Sequence, residues 1–160
     1  MLLAAGGKPF GEVIRRQLRA NPANAPLLEA GERAIDELTA GRRVTPEALP
    51  GPLIQVFNPA VQGYLISAMA IDPAKLAAET TLPLLILQGG RDIQVPTEDG
   101  ERLKAAQPQA TLITLPTANH VLKDVASDSM SDNIAVYRAP DLPLSEGVVP
   151  AIANFTLRSK

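Results

Sequence analysis

Cysteine and tryptophan are both absent, and histidine occurs once, at position 120. Without cysteine the chain forms no disulfide and offers no thiolate nucleophile, and its redox compartment stays open. Aromatic residues are scarce, three Phe and two Tyr, so aliphatic side chains must fill the core. There is no block of Lys and Arg, and the net charge is −2, which argues against nucleic acid as a partner. No stretch approaches the ~20 apolar residues that span a bilayer. The opening Met1-Leu2-Leu3-Ala4-Ala5-Gly6-Gly7 has neither the flanks nor the cleavage site of a secretory signal. No membrane partner is expected, and the expected location is cytoplasmic.

What is present describes a folded α/β chain. A length of 160 residues predicts a single domain, 1–160, and 46% hydrophobic with 20% charged residues is ordinary for a globular protein. Fifteen prolines, about twice the usual ~5% share, punctuate many short elements. Met1–Ala5 reads as a buried strand ending in a glycine turn. Residues 9–80 then read as a cap-like helical region. A helix from Pro9 presents Phe10, Val13, Ile14 and Leu18 on one face, with Arg15, Arg16 and Arg19 off it as a solvated face. A second is expected from Pro26 to Ala40, a short one after Thr45-Pro46, two more between Leu53 and Ile71, and a last one from Pro73. Tyr64 and Met69 are expected in the core.

Residues 81–160 carry the chemistry. Leu84-Leu85-Ile86-Leu87 is an apolar run of the kind buried on both faces in a parallel sheet. Gly89-Gly90 releases the chain, and Asp92 follows at the carboxyl end of the strand, where ligands and catalytic groups gather in open α/β sheets. A helix from Thr97 to Gln107 leads to a second strand, Ala110 to Pro116, whose end runs into Asn119-His120. A strand–helix–strand unit of this length makes the strands parallel. Asp92 and His120 are then expected in neighbouring loops, the carboxylate orienting an imidazole that acts as base.

The run L-L-I-L-Q-G-G-R-D-I-Q-V-P, then a helix, a strand and N-H-V-L-K, resembles the last third of an α/β-hydrolase of the serine esterase or acyl hydrolase type. The resemblance covers Leu82 to Phe155 well and the earlier helices loosely. It implies a partial α/β-hydrolase fold of about three parallel strands with flanking and cap-like helices. It also implies that Asp92 is the acid and His120 the histidine of a catalytic triad, in the acid-then-histidine order of that family. The implied substrate is a small-molecule ester, and no cofactor or metal is called for.

The family's G-x-S-x-G nucleophile elbow is missing: Ser67, Ser127, Ser129, Ser131, Ser145 and Ser159 all lack the flanking glycines. The chain therefore reads as the carboxyl part of a hydrolase whose nucleophile-bearing half is absent. An unpartnered strand edge at Met1–Ala5 would then favour homo-oligomers. Asp124, Asp128 and Asp132 near His120 fit no metal-binding loop pattern. The alternatives are an ester or acyl hydrolase working through Asp92 and His120, and a non-catalytic remnant that associates or binds a hydrophobic ligand.

Overall fold

The structure, a computed structural model, describes residues 1–158. The chain divides into two compact units: Lys8–Asp72, and Met1–Gly7 together with the residues from Pro73 onward. The helical region expected to reach residue 80 thus ends earlier, and the helix that begins at Pro73 belongs to the sheet unit.

The helical unit holds α1 (Phe10–Ala20), α2 (Leu28–Thr39), α3 (Gly51–Val56) and α4 (Gln62–Met69). Residues Pro22–Leu27 form a 3-10 turn, so the second helix, expected from Pro26, starts at Leu28. Asn21 fixes that turn by accepting the N–H of Ala23 on its side chain, at 3.0 Å. Ile14 and Leu18 of α1 meet Ile35 and Leu38 of α2, with Leu53, Phe57, Leu65 and Met69 completing the core. Gln62, fully buried in that apolar setting, uses its amide on backbone: Nε2 donates to Val44 O and Phe57 O, both at 2.8 Å, and Oε1 accepts from Val44 N at 3.0 Å. Two expectations fail here. Tyr64 is 68% exposed, and Phe10 lies at the surface, because the apolar stripe of each helix is narrower than its count of apolar residues suggested. Arg15 and Arg19 are engaged in ion pairs with Asp36 at 2.7 Å and Glu32 at 2.6 Å. The Arg19 guanidinium holds the Glu32 carboxyl below the usual carboxylate range, and Arg42 does the same for Glu37.

The sheet unit orders three parallel strands as β1 (Leu2–Leu3), β2 (Leu85–Gly89) and β3 (Thr111–Leu115). Its helices are α5 (Pro73–Glu79), α6 (Thr97–Ala106), α7 (Met130–Tyr137) and α8 (Val148–Arg158). Every residue of β2 is buried, since alternate side chains leave a central strand on opposite faces and both faces are covered. Ile86 packs with Ala77, Leu103 and Ala110 beneath α5 and α6. Leu87 packs with Leu115, Ala118, Leu122 and Val148 on the α8 side. Each of the Leu, Ile and Val side chains among these contributes about 1.5–3 kcal/mol by leaving water. Helix α8 buries Val148 and leaves Val149 63% exposed. Helix α7 follows the Ser- and Asp-rich run Ser127-Asp128-Ser129. Ser129 starts it, accepting the N–H of Asp132 on its hydroxyl at 3.1 Å, a cap that satisfies one free helical donor. Among the described residues no helix is long and apolar enough to cross a membrane.

Phe57, with no exposed surface, is the largest side chain of the helical core. Phe57→Ala is expected to lower stability by about 3–5 kcal/mol, read from the urea midpoint, while Tyr64→Ala changes it by less than ~0.5 kcal/mol.

Candidate active site

The register Leu85↔Thr111 through Gly89↔Leu115 ends β2 and β3 level with one another. The two following loops leave the sheet side by side and are stitched together by backbone: Gly90 N donates to Leu115 O at 2.8 Å and Arg91 N to Ala118 O at 2.9 Å. The two glycines make this approach sterically feasible. A Cβ on Gly89 would lie 2.5 Å from Ala118 O, and one on Gly90 would lie 2.6 Å from Pro116 O, both well inside contact distance.

Asp92 is reached directly after this seam. Its side chain is fully buried and its two oxygens divide their work. Oδ1 accepts the backbone N–H groups of Gln94 and Val95, each at 2.8 Å, a turn in which the side chain stands in for a backbone carbonyl. Oδ2 lies 2.9 Å from His120 Nδ1 and 3.4 Å from Gln88 Nε2. Gln88, also fully buried, is anchored by a 2.7 Å bond from the same Nε2 to Val95 O.

His120 sits in a tight turn between Ala118 and Asp124, which pair as an isolated antiparallel bridge. Asn119 builds the turn: its Oδ1 accepts the N–H groups of Val121 and Lys123 at 3.1 and 3.3 Å, while its backbone N donates to Lys123 O at 3.0 Å. Leu122 closes it with φ 58°, a left-handed conformation that costs roughly 1–2 kcal/mol for a residue with a Cβ. Burial of the Leu122 side chain under α8 and the 2.8 Å bond from Ser145 N to Leu122 O offset that strain.

An ionised carboxylate only accepts hydrogen bonds, so Asp92 makes Nδ1 the donor of the neutral ring and leaves the lone pair on Nε2. Among the described residues Nε2 has no hydrogen-bond partner, and the His120 side chain keeps 30% exposure while that of Asp92 keeps none. The imidazole thus has one nitrogen engaged and the other available.

The structure therefore brings together both residues singled out from the sequence. It does not bring the other candidates to them. Ser127 donates to Asp132 Oδ2 at 2.5 Å and Ser129 caps α7, so neither hydroxyl is engaged with His120. Asp124 accepts from Thr117 Oγ1 at 2.6 Å, and Asp128 pairs with Arg91 Nε at 2.9 Å. Each carboxylate has its own partner, and no metal-binding cluster occurs among the described residues. Residues not foreseen are Gln88, Asn119, Gln94, Asn133 and Tyr137. Gln88 carried a signal, being one polar residue in an otherwise apolar strand, and so did Asn119, a turn-former directly before the histidine. Searches of protein-family models, of curated proteins and of solved structures return no match to this chain.

Two outcomes follow from this geometry. Gly90→Ala should separate the loops and, in an NMR comparison with the parent protein, move the His120 ring signals while leaving the helical unit unchanged. The Tyr137 phenol should titrate above the usual value of ~10: burial raises it, the Gln94 hydrogen bond partly opposes this, and the Asp92 charge raises it further. Its neutral form thus favours the folded state below that range, and the benefit is lost as pH rises through the raised value. In a Tyr64→Phe background, absorbance titration should show the midpoint falling on Asp92→Asn and rising on Gln94→Ala.

Proposed function

We propose that the chain supplies the acid–base half of an ester or acyl hydrolase, with His120 as general base and Asp92 as the group that orients it. The observation that carries this reading is the 2.9 Å contact between His120 Nδ1 and a buried Asp92 oxygen, with the other carboxylate oxygen held by two backbone N–H groups. A structural salt bridge needs no such division of labour, whereas a catalytic base needs its orienting acid fixed and its second nitrogen available.

The chemistry balances with water as nucleophile. Nε2 of His120 takes a proton from water as the water oxygen bonds to the ester carbonyl carbon. The imidazolium that forms is stabilised by the Asp92 carboxylate. The bond from carbon to the leaving alkoxide then breaks, and the proton passes from Nε2 to that alkoxide, giving an acid and an alcohol. A serine hydroxyl from elsewhere would replace water in the first step and form an acyl intermediate. A positioned general base is worth on the order of 10²–10⁴-fold, so water-based turnover is slow and favours activated esters of short acids.

A second reading, a non-catalytic associating module, is favoured by one observation. Among the described residues strand β1 has a strand neighbour on one side only, with Met1 57% and Leu3 42% exposed, and such an edge can pair with another chain.

Hydrolysis of an aryl acetate tests the first reading. His120→Ala and Asp92→Asn should each lower the rate by on the order of 10²–10⁴-fold, with near-ultraviolet spectra showing that both variants stay folded. Hydrolysis indifferent to both substitutions would overturn the assignment. No hydrolysis, combined with a dimer or larger particle by light scattering, would favour the second reading.

A further inference from the structure

Helix α7 contributes nothing to the proton transfer, yet it is tied to both loops that carry the pair. Asn133, fully buried, donates Nδ2 to the backbone O of Arg91, directly before Asp92, at 2.7 Å. Tyr137, one turn further along the helix, accepts the Nε2 of Gln94 on its hydroxyl at 2.8 Å. The backbone N of that same Gln94 holds Asp92 Oδ1, so the phenol and the catalytic carboxylate grip one residue from two sides. Just past the helix, Ala139 O and Pro140 O accept the ammonium of Lys123 at 2.7 and 3.1 Å, which reaches the His120 turn. At the helix start, Asp128 pairs with Arg91.

We infer that α7 is a positioning clamp for the Asp92–His120 pair, with Asn133 and Tyr137 as its positioning residues, an inference that rests on the pair being the site. The physical need is plain. Asp92 and His120 lie on separate surface loops, and a single side-chain hydrogen bond is a weak tie between two such loops. The seam of Gly90 and Arg91 fixes their bases. The clamp fixes their far ends, through Gln94 on one loop and Lys123 on the other. An interaction that holds reacting groups to within a fraction of an ångström contributes to catalysis without touching substrate.

The single histidine makes the test clean, because its Nδ1–H gives one downfield proton signal. The exchange of that proton with water reports how often the contact opens. Asn133→Ala and Tyr137→Phe are each expected to speed exchange by about fivefold, the effect of losing one ordinary hydrogen bond. Adding Tyr137→Phe to Gln94→Leu should change nothing more, since that link is already broken. Ile35→Val, in the core of the helical unit, should lower stability with exchange unaltered. Parent-like exchange in folded Asn133→Ala and Tyr137→Phe would overturn the clamp, and should Asn133→Ala fail to fold, Tyr137→Phe decides alone. Absence of the signal from the parent protein would instead sink the Asp92–His120 pairing, and the clamp with it, a result distinct from loss of the effect in the variants only.

Discussion

Two parallel strands that end in register, joined beyond their ends by a glycine seam, are the constraint on which the rest depends. Gly89 and Gly90 let the backbone of one loop lie against carbonyls of the next at distances that any side chain would forbid. The two backbone bonds across the seam then fix where each loop goes. Asp92 and His120 need no long-range search to meet, because each follows the seam by a short tight turn. The turns are themselves specified locally: Asp92 folds its own loop by capping Gln94 and Val95, and Asn119 does the same for the histidine loop.

The chemistry follows from how the Asp92 carboxylate is spent. One oxygen is consumed by structure and the other faces the imidazole, so orientation and proton stabilisation are served by one buried side chain. Burial strengthens this interaction, since low local dielectric amplifies a charge–dipole contact. Acyl transfer draws on a nucleophile and an oxyanion site as well as a base. No serine hydroxyl engages the imidazole among the described residues, and the two nearest to it in sequence, Ser127 and Ser129, are occupied around the start of α7. In the proposed reading the pair serves as base, and the rate is set by what brings the nucleophile.

Much of this was legible in the amino-acid order. The apolar run before Gly89, the paired glycines, the strand–helix–strand spacing and the single histidine after the next strand together foretell the parallel sheet and the meeting of Asp92 with His120. The helix beginning at Met130 was not legible, because its residues lack a strong apolar period and its cap, Ser129, lies in a run of alternating Ser and Asp that reads as loop. Tyr137 carried no signal at all; its role depends on a partner, Gln94, that only folding brings near. In the helical unit the period correctly marked Ile14 and Leu18, but Tyr64 was marked too, since periodicity counts apolar positions and cannot say how wide a stripe the neighbouring helices will cover. The helical region read as 9–80 lies close to the compact unit Lys8–Asp72, and only its far boundary differs.

The geometry implies that Asp92 holds the neutral His120 ring with its lone pair on Nε2. Nitrogen-15 NMR of the labelled protein, at a pH where the ring is neutral, measures this directly, and one histidine makes the assignment unambiguous. The expected result is a protonated, pyrrole-like Nδ1 and an unprotonated, pyridine-like Nε2, with this preference lost on Asp92→Asn. A ring protonated on Nε2, or an even mixture of both forms insensitive to that substitution, would contradict it.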